Sequence, residues 1–401
     1  MILDRRSFLA ALLQPAPPTA KKQERSERPG EIPSIPPVRA SESPLTPAKS
    51  RWRPVFEFDE MDRSVVFNDC RFATADRGIA AGLVTNHRSG STEGYAVLTR
   101  NGGEQWTPLK IKDAPLTLFW GPNAALWMVG EDDLWYSAEA GLVWEKRKLP
   151  SGARILRVHF LDDQRGWAYG AGKHFFYTGD GGRKWDKVPE SASLDLRDEY
   201  TSWSALQFIT PEVALMVGNF VPPRRDRQRF PDWMNPQDAI GRRLIPTTTL
   251  AAETRDGGKT WKIHRSSSFG NVVRLRVSGN RGLLIYHYNN TFEFPSEVME
   301  VDFSTGKSWP IFRRKDILVY DAVPLAGGGA VLAGFTVPPA MAFLPVSRPL
   351  TIVWSENDQD WIRQRVHYRA AGKRAILAAV SSAHMWCATD EGMILKLIRE
   401  G

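Results

Sequence analysis

The feature that most constrains this chain is a short motif that returns along it. It reads Thr-Arg-Asn-Gly-Gly-Glu-Gln-Trp at 99–106, Thr-Gly-Asp-Gly-Gly-Arg-Lys-Trp at 178–185 and Thr-Arg-Asp-Gly-Gly-Lys-Thr-Trp at 254–261. A copy at 137–144 completes four that fit (S/T)-x-(D/N/E)-x-G-x-x-W. A fifth at 302–309 keeps Ser304, Gly306 and Trp309, and 355–361 is one residue shorter and more divergent. The physics of such a segment is a tight turn between two strands. A short carboxylate or amide accepts hydrogen bonds from turn N–H groups, glycine takes a positive φ, and Trp packs back onto the sheet. Asn101, Asp180 and Asp256, with Trp106, Trp144, Trp185, Trp261 and Trp309, are therefore structural residues. A role met inside each hairpin and repeated in every unit is not that of a catalytic aspartate.

A second periodicity defines the unit around that turn. An aromatic precedes a glycine by ten residues in Phe72/Gly82, Trp120/Gly130, Phe160/Gly170 and Phe208/Gly218, with Cys70, Leu118, Val158 or Leu206 two positions before it. Two strands, a third, the turn and a last strand make a four-stranded antiparallel unit. The motif tryptophans are 38 and 41 residues apart from 106 to 144 to 185, the length of one propeller blade. The 76 residues to Trp261 hold one blade with an insertion, and later steps of 48 and 52 fit blades with longer loops. Residues 376–398 supply only three strands. The early segment Val55 to Phe58 can add the fourth beside 393–398 and so close a ring with no free edge. The expected fold is all-β, a seven-bladed β-propeller of four-stranded antiparallel blades with Asp-box turns.

This combination resembles the bacterial Asp-box (BNR-like) propellers of the photosystem II stability and assembly factor-like type, which share their fold with the sialidases. The resemblance covers residues 52–401. It implies a non-enzymatic, extracytoplasmic scaffold that binds another protein, with no cofactor and no catalytic residue; fold by itself does not fix activity. The alternative is a carbohydrate-active propeller, a sialidase-like glycoside hydrolase or a glycan binder. Sialidases resemble one another in a Phe/Tyr-Arg-Ile-Pro motif near the first blade. Here the nearest string is Arg243-Leu244-Ile245-Pro246, in mid-chain and in a different order. Three arginines converging in the central cavity with a Tyr and a carboxylate would favour that alternative.

The net charge of +8 is local. Residues 1–53 hold ten Lys/Arg against five Asp/Glu, and 222–246 hold six Arg against three Asp, which leaves the remainder balanced. A surface for nucleic acid is thereby excluded. Two cysteines, Cys70 and Cys387, are too few for a disulfide framework, and no ligand spacing for a metal occurs. Both replace apolar residues of other blades and are expected as buried free thiols. Asp4-Arg5-Arg6-Ser7-Phe8-Leu9 followed by Ala10 to Leu13 resembles a twin-arginine export signal over residues 1–20, which points to the periplasm, a basic cytosolic N-terminus being the alternative. A disordered Pro-rich linker follows at 21–50, and the propeller occupies 51–401. No stretch is long enough to span a membrane.

The insertion at 222–246 reads as the partner-binding element of the fourth blade. Arg224, Arg225, Arg227 and Arg229 alternate along it, with Phe230, Trp233, Arg242 and Arg243 following. Arginine beside aromatics is the mixture favoured at protein interfaces, here for an acidic partner of a monomeric chain. The apolar loop 336–350 reads as packed over a propeller face, and Asn289-Asn290-Thr291, though it fits a glycosylation sequon, as a turn.

Overall fold

The computed structural model describes residues 46–222, 247–288, 294–337 and 346–399. The export-like leader, linker residues 21–45, the Asn289-Asn290-Thr291 turn and 338–345 of the apolar loop lie outside the described residues. So do all eight insertion residues from Arg224 to Arg243 named above.

The chain is all-β and its strands follow one plan. After β1 (Thr46–Glu57) come five four-stranded antiparallel sheets. The first is β2 (Arg63–Phe72), β3 (Gly78–Asn86), β4 (Thr92–Thr99) and β5 (Thr107–Lys110). The second is β6 (Thr117–Trp120), β7 (Leu126–Val129), β8 (Asp133–Ser137) and β9 (Glu145–Lys148). The third is β10 (Ile155–Phe160), β11 (Gly166–Gly170), β12 (Phe175–Thr178) and β13 (Asp186–Lys187). The fourth is β14 (Thr201–Phe208), β15 (Ala214–Phe220), β16 (Thr247–Thr254) and β17 (Lys262–Ser268). The fifth is β18 (Gly270–Ser278), β19 (Arg281–Tyr288), β20 (Ser296–Asp302) and β21 (Lys307–Arg314). The remaining strands are β22 (Ile317–Pro324), β23 (Ala330–Thr336), β24 (Arg348–Ser355), β25 (Ile362–Val366), β26 (Ala371–Gly372), β27 (Ala375–Ser381), β28 (His384–Thr389) and β29 (Met393–Ile398). They form one continuous sheet in the order β22-β23-β24-β25-β1-β29-β28-β27, with β26 beside β24.

Burial explains the order within a sheet. Second strands such as β3 and β11 are nearly continuous buried runs, because a neighbouring sheet covers each face. Fourth strands such as β5, β9 and β13 are short, polar and exposed, which blunts the outer edge against further pairing. The first strands face inward. β2, β6, β10, β14, β18, β22 and β27 touch in succession, and β27 returns to β2. The recurring aromatic is the glue between sheets: Phe160 stacks on Trp127 of the preceding sheet at 3.6 Å between ring centroids, and Phe72 on Trp386 at 3.5 Å.

Closure goes further than the sequence suggests. β1 pairs antiparallel with β29 from Arg51↔Ile398 to Glu57↔Met393, the partner expected for it. Its first half also runs parallel to β25, from Thr46↔Ile362 to Trp52↔Val366. The strand thus takes in Thr46 to Ser50, inside the segment read as linker, because these backbone groups find a sheet edge that local composition does not reveal. Trp52 is 1% exposed and packs among Leu318, Leu350 and Leu397.

Candidate functional site

The Asp-box residues sit on the turns between third and fourth strands. Asp256 accepts the N–H groups of Lys259 and Thr260, both at 3.0 Å, and the Thr254 and Thr260 hydroxyls at 2.8 and 2.6 Å. Burial works to raise its pKa, but these donors outweigh that and hold the carboxyl down at about 2. Asp180 repeats the pattern with Arg183, Lys184 and Thr178, and Asn101 with Gln105 and Thr99. Trp106, Trp144, Trp185 and Trp261 each precede a fourth strand, and the indole N–H groups of Trp185 and Trp261 donate to the carbonyls of Lys148 and Gly258.

Two copies differ from the sequence reading. In the shorter copy Asn357 holds the turn, accepting from Gln359 and Asp360 N–H and from the Ser355 hydroxyl, so the motif is intact there. In the fifth sheet Asp302 accepts from Ser304 and Thr305, and the turn closes by Gly306 N–H to Asp302 C=O. Trp309 then falls inside β21 opposite Glu300 instead of before the strand. A turn shorter by several residues moves it there.

The chemistry lies elsewhere, in the space enclosed by the first strands. A register shift interrupts β2, β10, β14, β18 and β22, and the residues just after it are Asp69, Arg157, Ala205, Arg274 and Asp321. Bulges re-aim side chains in this way. Two residues on, and so on the same strand face, stand Arg71, His159, Gln207, Arg276 and Val323. Arg71, Arg157, Arg274 and Arg276 lie within electrostatic reach of one another around Asp321. Sequence reading missed them, although superposing the repeats shows arginine one and three positions before the blade aromatic at Arg71 and Arg157.

Both carboxylates here are locked. Asp321 is fully buried, and its oxygens take Arg276 bidentately at 2.9 and 2.5 Å. They also take Ala322 N–H and, from the next first strand, Leu377 N–H, each at 3.0 Å. Arg274 Nε approaches at 3.4 Å. Burial would raise this carboxyl, yet the charges of Arg274 and Arg276 hold it far below the usual range. Asp69 repeats the arrangement: it accepts from Cys70 N–H, from Leu118 N–H of the next first strand, and from Arg71 Nε. Each aspartate thus pins its own sheet to the following one.

The arginines are less well matched. Four guanidinium groups face two carboxylates. Among the described residues Arg157 has no hydrogen-bond or ion-pair partner, and the buried Nε of Arg274 has no hydrogen bond. Burial and the neighbouring cations bring Arg274 down to about 10, against the pull of Asp321, so it stays charged at neutral pH. His159 lies between the rings of Phe119 and Phe208, and enclosure pushes it down to about 4. His287, bonded to Val319 C=O, is pushed to about 4 by the same cause. The enclosed positive charge is therefore carried by arginine, four guanidinium groups against the two carboxylates.

This space opens to solvent through a cavity of about 810 Å³ where β2, β18, β22 and β27 end. Arg71, Arg276, Trp354, Glu356 and Arg399 are among the residues that line it. The Arg399 guanidinium lies 5.9 Å over the Trp354 ring and donates to Ser382 C=O.

Cys70 and Cys387 are buried free thiols, both pushed up by burial. No group of three or more His, Cys, Asp or Glu able to hold a metal occurs among the described residues. No helix among them is long and apolar enough to cross a membrane.

No protein-family model matches the sequence, and no curated protein matches it. Solved structures do. YCF48 bound to a D1 peptide superposes with a TM-score of 0.56 and 13% identity over 89% of this chain and 98% of that one. The fold is a β-propeller resembling YCF48. YCF48 from Cyanidioschyzon merolae gives 0.53 at 13% identity, covering 86% of this chain and 98% of that chain. Virginiamycin B lyase from Staphylococcus aureus, a propeller with an enzyme's name, gives 0.53 at 9% identity over 87% and 99%. At such identities the likeness to YCF48 is one of fold.

Proposed function

We propose that this chain is a seven-bladed, non-enzymatic, extracytoplasmic propeller that binds an acidic segment of another polypeptide at the arginine-lined mouth of its channel. The blade count reads the continuous sheet as two blades, β22 to β25 and β27 to β29 with β1. The observation that carries the binding is the surplus of positive charge of Arg71, Arg157, Arg274 and Arg276 over Asp69 and Asp321, set in a protein-walled space where charge acts more strongly than at the surface. That a D1 peptide is held by YCF48 supports a peptide ligand for a propeller of this shape. The basic insertion, with Arg224, Arg225, Arg227 and Arg229, would steer such a partner towards the ring.

The same arginines favour a second reading, an acidic-glycan propeller, because Tyr169 and two carboxylates stand near them. The Tyr169 hydroxyl, however, accepts Leu206 N–H at 3.1 Å, and among the described residues the charged groups that act on it are arginines, with no carboxylate to serve as a base. A buried Tyr288–Glu297 pair exists at the other end of the fifth blade, where Tyr288 pairs with Gly270. Four to six residues of strand from there to Arg274 and Arg276 span about 13 to 20 Å. Nucleophile and arginines are thus too far apart to share one sugar.

Binding to an array of equal-length acidic, neutral and basic peptides tests the first reading. Acidic peptides should bind, with affinity falling as salt rises, and Arg157→Gln should weaken them. Equal binding of all three classes, or an unaffected variant, would sink it. Turnover of a fluorogenic sialoside would establish the second.

A further inference from the structure

The cavity at the ends of β2, β18, β22 and β27 sets apolar side chains beside a guanidinium, a pairing that the binding of an acidic polypeptide does not require. Arg71 and Arg276 line it together with the apolar Val323, Leu325 and Val380, and with Ser278, Glu356, Ser381 and Ser382. The two arginines are not equivalent. Arg276 is committed to both oxygens of Asp321 and to Leu377 C=O. Arg71 uses only Nε, on Asp69, so its two terminal amino groups keep a fork of donors without a protein acceptor among the described residues. Its side chain remains 23% exposed while most of its length is enclosed.

We propose that this cavity is a binding site for a small organic oxyanion, a carboxylate or phosphate monoester carrying a short apolar body. The oxyanion sits on the Arg71 fork, whose planar geometry matches two oxygens at once. The apolar body lies against Val323, Leu325 and Val380. A volume of about 810 Å³ accommodates a compact organic molecule with room for water. Arg276, Arg274 and Arg157 behind the fork add attraction without moving, since Asp321 already holds Arg276 in place. A cation is excluded by the same surplus. A neutral molecule of the same shape leaves the fork unpaired and so is discriminated against.

Isothermal titration of the whole chain tests this, with hexanoate and hexyl phosphate as probes and hexan-1-ol and inorganic phosphate as controls. One or both hexyl anions should bind saturably, the tighter of the two naming the headgroup. Hexan-1-ol, lacking the charge, and inorganic phosphate, lacking the body, should each bind about tenfold or more weakly. Arg71→Gln should cost about tenfold or more, and Arg71→Lys, which keeps the charge, should recover part of it. Because Arg71→Gln also breaks the contact with Asp69, Val323→Asp serves as a variant that leaves every arginine intact and should abolish binding. No binding of either anion, equal binding of hexan-1-ol and hexanoate, or unchanged affinity in both Arg71→Gln and Val323→Asp would overturn the proposal. Failure of the peptide array leaves these titrations unaffected, and the reverse holds, so the two readings fall separately.

Discussion

At the scale of single residues, what looks like an active-site vocabulary is mostly turn chemistry. Asp256 satisfies two backbone N–H groups and two hydroxyls, all within its own hairpin. Asp256→Ala should lower unfolding free energy by about 1 kcal/mol in urea titrations and leave ligand affinity unchanged. Beside it, Gly258 at φ +83° faces the Trp167 ring of the preceding blade so closely that a Cβ would collide with it. The box glycine is therefore also an inter-blade contact, a role the local motif does not announce. The channel histidines give a pH prediction. His159 and His287, both pushed down to about 4, are neutral in the folded state and take up protons near 6.5 once unfolded. Their contribution to stability is complete above pH 6.5 and is lost as pH falls towards 4. The melting temperature should decline across that window, less steeply in His159→Gln; a profile flat down to pH 4 would contradict the assignment.

At the scale of elements, the repeat was readable because its signals are local. Tight-turn glycines, the spacing from Phe160 to Gly170 and the step between tryptophans each involve neighbours in sequence, and β10 to β12 follow from them. What escaped reading was set by partners far away. Thr46 joins the fold through β25, more than 300 residues on, and nothing in its flanking prolines says so. Trp309 looked like a box tryptophan because a shorter turn left its spacing from Ser304 and Gly306 intact. Arg274 and Arg276 belong to a first strand without the usual aromatic, so the alignment that exposes Arg71 and Arg157 does not reach them. The closing strand yields a sharp test. Removal of residues 1–45 should leave the melting temperature unchanged, whereas removal of 1–57 strips β25 and β29 of their partner and should give aggregation visible by light scattering. Equal solubility of both truncations would show that β1 is dispensable.

For the whole molecule, the ring is tied by charges as well as by edges. Asp69 and Asp321 each reach the backbone of the following blade, at Leu118 and Leu377, from matching positions after a bulge. Asp321→Asn should cost about 3 kcal/mol or more, because it removes a buried partner and leaves Arg274 and Arg276 uncompensated. The loss should appear in equilibrium unfolding followed by tryptophan fluorescence. The arrangement of β1 has one further consequence, in the order of events during synthesis. β1 is made long before the strands that hold it, since its partners β25 and β29 end at Val366 and Ile398. At translation rates of roughly 5 to 20 residues per second, β1 waits on the order of 20 to 70 s with both edges bare. Whatever shields that segment in the interval determines how much of the newborn chain closes on itself and how much closes on a neighbour.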